Sequence, residues 1–188
     1  MEWLRHIVQH GLRGVDGCYR LLHRLLPAGE VLYVGRIRYR GAAMEFADGT
    51  RLTPGDFIGT LHFNNARFAQ LDGESNRRAA LQFARLMLES LQILAHKARH
   101  DPAFSDLAVF HALSWLPPHG RRIGFITQPY PHGASRRLRA AYFRLLVWAF
   151  APAAQTRASA KAEPTLYWIT RKELLRQFAD AEPMRSTE

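Results

Sequence analysis

Between residues 63 and 75 the apolar pattern of this chain changes its period, and that change limits the fold more than any other feature. Residues 31–40, "VLYVGRIRYR", and 57–63, "FIGTLHF", alternate with a period of two, as strands with two different faces do. From Ser75 to about Arg99 the spacing lengthens. Leu81, Ala84, Leu88, Leu91, Ala95 and Ala98 form one stripe, flanked by Phe83, Met87 and Leu94, which predicts a long helix with one buried side. Strands and helices that come in blocks, rather than in strict alternation, place the chain in the α+β class.

The remaining segments extend that reading. From Trp3 to Leu26 a stripe runs through Leu4, Ile7, Val8, Leu12, Val15, Tyr19, Leu22 and Leu26, interrupted by Gly11, Gly14 and Gly17. Each glycine weakens a helix by about 1 kcal/mol relative to alanine, so a kink or two shorter helices are expected. "AMEFA" and the chain resuming at Arg51-Leu52 flank Asp48-Gly49, a hairpin signal. Asp101-Pro102 suits a short helical turn. "LAVFHALSWL" and "RRIGFITQ" read as a hairpin around "PPHG". Residues 134–150 read as a helix, Gln155 to Glu163 as a loose connection, and "TLYWIT" as a last strand. Thr170 with Glu173 forms a capping-box pattern ahead of a terminal helix. The sum is a single domain over residues 1–188, with a frayed tail at 179–188. Its sheet is mixed or mainly antiparallel, of about five to six strands, with helices over one face.

The motif "GDFIGTLHFNN" at 55–65 carries the candidate site. By parity Asp56, Ile58, Thr60, His62 and Asn64 share one strand face, while Phe57, Gly59, Leu61 and Phe63 share the other. Asn65 stands where the next helix would be capped. In residues 31–40 the arginines Arg36, Arg38 and Arg40 likewise share a face. Matched polar faces would bring the arginines to His62, Thr60 and Asn64, a cluster suited to an anionic small ligand or a lipid headgroup. His62 is then the candidate catalytic or hydrogen-bonding group; Asn64 and Asn65 orient the ligand, with Thr60 and Asp56 as further ligand-binding candidates; Arg36 and Arg38 hold its anionic part. A one-residue slip in register would put the arginines on the opposite face. Plainer readings stand beside this one: a solvated arginine face, a structural histidine and a cap. His111, between apolar neighbours, reads as a satisfied core histidine.

Charge and composition bound the partners. The net charge is +10 with a sequence pI near 10.6, and all but Lys97, Lys161 and Lys172 of the 26 basic residues are arginine. Arginine suits bidentate binding of phosphate or carboxylate, and a GC-rich coding sequence yields the same bias. The basic residues are dispersed and no nucleic-acid-binding motif appears, which sets nucleic acid aside. The lone Cys18 excludes an internal disulfide and a cysteine-built metal site. The nine histidines suggest no metal, and no phosphate-cradling loop, nucleophile elbow or carboxylate pair implies a cofactor or a reaction. "MEWLRHIVQHGLRG" lacks the form of a signal peptide, and "AYFRLLVWAFAPAA" is too short and too broken to span a bilayer. A cytoplasmic placement is expected. The first helix and "RRLRAAYFRLLVWAF" are also basic and amphipathic, so a peripheral position at the cytoplasmic membrane is the alternative.

The pieces "YVGRIRYRGAAMEFADGTRLTPGDFIGTLHFNNARF", "FHALSWL" and "RRIGFITQ" resemble the YkoP-like domain, over about residues 15–178. The distinctive part is Gly-Asp-x-Ile-x-x-Leu-His-x-Asn-Asn, carried by Gly55, Asp56, Ile58, Leu61, His62, Asn64 and Asn65. The resemblance implies a bacterial domain sometimes found beside polysaccharide deacetylases, hence an envelope or polysaccharide context, and it implies no particular reaction.

Overall fold

The computed structural model describes residues 2–65, 67, 76–114, 123–150 and 163–179. Helix α1 (Glu2–Leu22) leads into a short strand β1 (Leu26–Pro27) and then β2 (Leu32–Arg38). A small ribbon pairs β3 (Met44–Glu45) with β4 (Arg51–Leu52), and β5 (Phe57–Phe63) follows. Helix α2 (Asn76–His100) and a 3-10 turn (Pro102–Phe104) lead to β6 (Val109–Ser114). β7 (Ile126–Pro129), α3 (Ala134–Phe150), β8 (Thr165–Thr170) and α4 (Arg171–Phe178) complete the described chain.

Six strands form one sheet in the order β1-β2-β5-β6-β8-β7, antiparallel except where β5 meets β6. A parallel pair cannot be closed by a tight turn, and the long crossover here contains α2. This is the α+β domain with a mixed sheet that the sequence predicts. The hairpin expected between 107–116 and 121–128 does not form: β7 pairs with β8. Both edges of β6 are already taken, by β5 and β8. The "PPHG" turn, most of the loose connection at 155–163, and the tail from 180 lie outside the described residues.

Helices cover both faces of the sheet, not one. On the first face Val34, Leu61, Phe110 and Ile169 pack against Leu91, Leu94 and Ala95 of α2 and Leu174 and Phe178 of α4. The second face is divided. Ile58, Val109 and Trp168 lie under Phe46 and Leu52 of the ribbon segment, while Leu113 packs with Phe143, Leu146 and Phe150 of α3 and Val8 and Leu12 of α1. Two-sided burial follows from β6 and β8, whose residues are mostly buried at consecutive positions.

Helix α2 is rotated from the expected stripe. Leu86, Leu91, Leu94, Ala95 and Ala98 are buried, whereas Leu81 and Leu88 are exposed. The cause is a close approach at Gly29, where a Cβ would stand 2.4 Å from Ser90 Oγ. Only a small residue fits opposite that backbone, so Ser90 and not Leu88 turns inward. The ends of α4 and of the ribbon are tied together: Thr170 Oγ1 accepts from Glu173 N at 3.1 Å and donates to Asp48 Oδ2 at 2.5 Å.

Helix α1 is also rotated, and it is unbroken. Its inner side carries Gln9, which donates from Nε2 to the Ala149 carbonyl at 2.6 Å and so satisfies one of the last carbonyls of α3. Arg20 donates from Nη1 to Tyr33 Oη at 2.5 Å. These polar anchors turn Leu4, Ile7, Val15 and Leu22 of the apolar stripe outward. A Cβ at Gly11, Gly14 or Gly17 would meet nothing within 4 Å. The glycines therefore serve no close contact, and Gly14→Ala should stabilise the fold by roughly 1 kcal/mol, read as a higher urea midpoint at unchanged slope.

Candidate functional site

The register between β2 and β5 sets the site. Tyr33 pairs with His62, Gly35 with Thr60, and Ile37 with Ile58, while Arg36 pairs with Gly59 and Arg38 with Phe57. Paired residues share a face, so Thr60 and His62 face α1 and α3, and Arg36 and Arg38 project across the sheet from them. The slip of one residue that the sequence leaves open is realised. Both guanidiniums lie over the Phe57 ring, at 3.7 Å and 4.3 Å from its centroid. Arg36 also pairs with Asp106, and Arg38 donates to the Gly55 carbonyl at 3.1 Å. They shield an aromatic edge of the first face and take no part in a cluster with His62.

Two more of the motif residues are occupied elsewhere. Asp56 accepts from the backbone and hydroxyl of Thr53, which closes the turn at the far end of β5, about 20 Å of strand from His62. Asn64 donates from Nδ2 to the Glu30 carbonyl at 3.0 Å, and its own N–H bonds Val31 O at 2.9 Å. It staples the exit of β5 to the entry of β2. Asn65 adopts helical backbone and lines a cavity together with Thr60 and His62; most of the helix that it was expected to cap lies outside the described residues.

That cavity, of about 580 Å³, lies between the second sheet face and helices α1 and α3. Its floor includes Thr60, His62, His111 and Leu113; its roof includes Asp16 and Tyr19 of α1 and Tyr142, Leu146 and Val147 of α3. His111 enters because β5 and β6 run parallel with Thr60 beside His111. The ring of His111 stacks on Trp168 at 5.1 Å, yet neither ring nitrogen has a hydrogen-bond partner among the described residues. The satisfied core histidine expected at this position is instead half-buried, with both ring nitrogens buried and without a partner among the described residues. The Tyr19 ring sits between His23, at 4.1 Å, and His62, at 4.8 Å. Thr60 Oγ1 stands 3.4 Å from His62 Nε2, a long contact.

Burial governs the electrostatics. Desolvation, then the neighbouring His23, lowers the His62 pKa to about 4; desolvation, then His62, lowers that of His111 to about 4. Both rings are neutral near pH 7, each with one N–H donor and one nitrogen acceptor. Burial raises Tyr19 and Tyr142, which remain phenols, and raises Asp16 against the opposing pull of Arg20. Arg139, stacked on Tyr130 at 5.1 Å, is the guanidinium that lines the cavity among the described residues. No group of three metal-ligating side chains exists among the described residues. The arrangement can accept or donate hydrogen bonds to a desolvated molecule, and a neutral imidazole can accept a proton from one.

The profile of the YkoP domain matches residues 5–178. The chain belongs to the YkoP domain family. No curated protein and no solved structure matches it. Within this YkoP domain, Thr60, His62 and Asn65 of the expected site residues come together. Sequence reasoning missed His111, Asp16, Tyr19, Tyr142 and Arg139. A local signal existed for His111 alone, as a polar residue inside an apolar strand. The α1 residues depend on a helix rotation fixed by Gln9, and no local pattern reports that.

Proposed function

We propose that this YkoP domain is a small-molecule-binding module whose cavity takes a mainly apolar ligand with a hydrogen-bonding head. The observation that carries the reading is His111: both nitrogens are buried in a cavity of about 580 Å³, and neither has a partner among the described residues. A buried polar group left unpaired costs about 1–3 kcal/mol, and a ligand hydroxyl or amide at the floor recovers part of that. The volume lies within the usual range for small-ligand sites. With Arg36 and Arg38 across the sheet, an anionic group would be met at Arg139 and not by neutral His62. His62 and Thr60 complete the head's surroundings, and Asn65 borders it.

The neutral fluorophore N-phenyl-1-naphthylamine serves as the probe, displaced by 1-decanol, decanoate or the matching alkane. Decanol is expected to compete about tenfold better than the alkane, the worth of one recovered hydrogen bond. His111→Phe, which keeps a planar aromatic ring and removes the nitrogens, should erase that preference while the probe still binds. Val147→Trp, which fills the cavity, should weaken the probe itself by about tenfold or more. Decanoate should outcompete decanol only where Arg139 is intact. Equal displacement by alcohol and alkane, or an unchanged preference in His111→Phe, would remove the basis for this reading.

A further inference from the structure

Helix α1 exposes much of its apolar stripe to solvent. Trp3, Ile7, Val15, Leu21 and Leu22 are 68%, 58%, 61%, 81% and 79% exposed, with Leu4 beside them. At 100° per residue these six fall within an arc about 120° wide on a helix about 30 Å long. Isolated exposed apolar residues are ordinary, but a continuous stripe marks a contact surface. Helix α3 packs against α1 and exposes Leu138, Tyr142 and Leu145 next to it.

Among the described side chains, the charges along this face are arginines. His6, His10 and Arg13 run along one flank of the α1 stripe, and Arg137 and Arg144 are exposed beside the apolar residues of α3. Helix α3 has four arginines and no acidic residue. On α1, Asp16 is turned into the cavity lining. The chain as a whole carries +10. An apolar stripe flanked by arginine is the form of helices that lie in the headgroup region of a bilayer. A second copy would instead bring the same arginine rows together across a two-fold contact.

We infer that the outer face of α1 and α3 seats on an anionic lipid surface, with the leucines and Trp3 at the acyl boundary and the arginines among the headgroups. This goes beyond ligand binding in the cavity and does not depend on it, although the two meet: Val15, Tyr19 and Tyr142 both line the cavity and are exposed on this face. The cavity mouth would therefore open toward the lipid. No helix of the described chain is long and apolar enough to cross a membrane, and a peripheral contact is what this face provides.

The test is co-sedimentation of the full chain with vesicles of phosphatidylcholine alone or mixed with phosphatidylglycerol, across a salt series. Binding is expected on the mixed vesicles at low salt and at least about tenfold less on the neutral ones. Leu21→Glu with Leu22→Glu, at exposed positions that leave the fold and the naphthylamine affinity unchanged, should abolish sedimentation. Arg137→Glu with Arg144→Glu should weaken it about tenfold or more. Absence of binding to phosphatidylglycerol vesicles overturns the inference. So does binding that survives the leucine substitutions, which would be charge attraction alone. A dimer in sedimentation velocity that dissociates in the leucine variant would assign the face to a second copy instead.

Discussion

Between about pH 7.5 and pH 5 the protein should lose roughly 3 kcal/mol of folding stability, mostly through two rings in its cavity. An unfolded histidine titrates near 6.5, whereas burial holds His62 and His111 to about 4 in the fold. As pH falls below 6.5 the unfolded chain takes up two protons that the folded chain still refuses. Stability is therefore full above that pH and declines as pH falls toward about 4, where the folded rings begin to charge. Each ring alone corresponds to about 2 kcal/mol at pH 5. The two share one repulsion, since His62 contributes to the shift of His111, so the pair is worth less than twice one. Asp16 works in the opposite direction: burial raises its pKa, and its protonation at low pH favours the fold. Asp48, Asp56 and Glu173 have lowered values, so the stability they contribute is lost as pH falls from the ordinary carboxylate value toward the lowered one, at the lower edge of this window and beneath it.

Urea midpoints measured across that range check the expectation. His111→Phe and His62→Gln should each flatten the curve, and the double variant should leave little slope between pH 5 and 7 beyond that of the other groups. A midpoint that stays level in the wild type would mean that one or both rings are solvated and charged, and the cavity would then favour an anion. The same measurement thus bears on the ligand. A neutral floor selects hydroxyl or amide heads, whereas a charged one selects carboxylate or phosphate.

Parity within a strand was legible in the sequence, and pairing between strands was not. Thr60 and His62 share a face because alternation is local. Which way Arg36 and Arg38 point relative to His62 depends on register, fixed by the segments that lead β2 and β5 together, and a one-residue change reverses it. An arginine that covers Phe57 and an arginine that waits for a ligand have the same local sequence. The helices show a similar division. Their extents follow from spacing and caps, as at Thr170 with Glu173, but their rotation follows from distant partners. Ser90 turns inward because Gly29 leaves room for nothing larger, and α1 turns Gln9 inward beside Val8 and Leu12, where it meets Ala149. His111 joins the site only through the parallel pairing with β5, a contact that closes after the long crossover through α2.

Gly59→Ala should destabilise the fold by roughly 2–3 kcal/mol, the reverse of the same change at Gly14. A Cβ at Gly59 would stand 2.2 Å from Phe110 Cδ1 and 2.6 Å from Cε1. Phe110 is fully buried among the residues of the first face, so its ring has no vacant space to move into. Interiors are packed too densely to absorb a methyl group without off-rotamer side chains or a backbone shift. The alanine also restricts the unfolded chain, a gain of at most about 1 kcal/mol that the clash exceeds. Gly59 pairs with Phe110, Thr60 with His111, so relief by separating β5 from β6 would pull Thr60 away from His111. The variant should therefore bind the naphthylamine probe less tightly even where it remains folded. Shortening the opposing ring, as Phe110→Leu, should recover stability in the double variant, with a coupling of about 1–2 kcal/mol. A Gly59→Ala protein as stable as the wild type would show that Phe110 does not hold the parallel pair in register, and the shared floor of Thr60, His62 and His111 would lose its physical support.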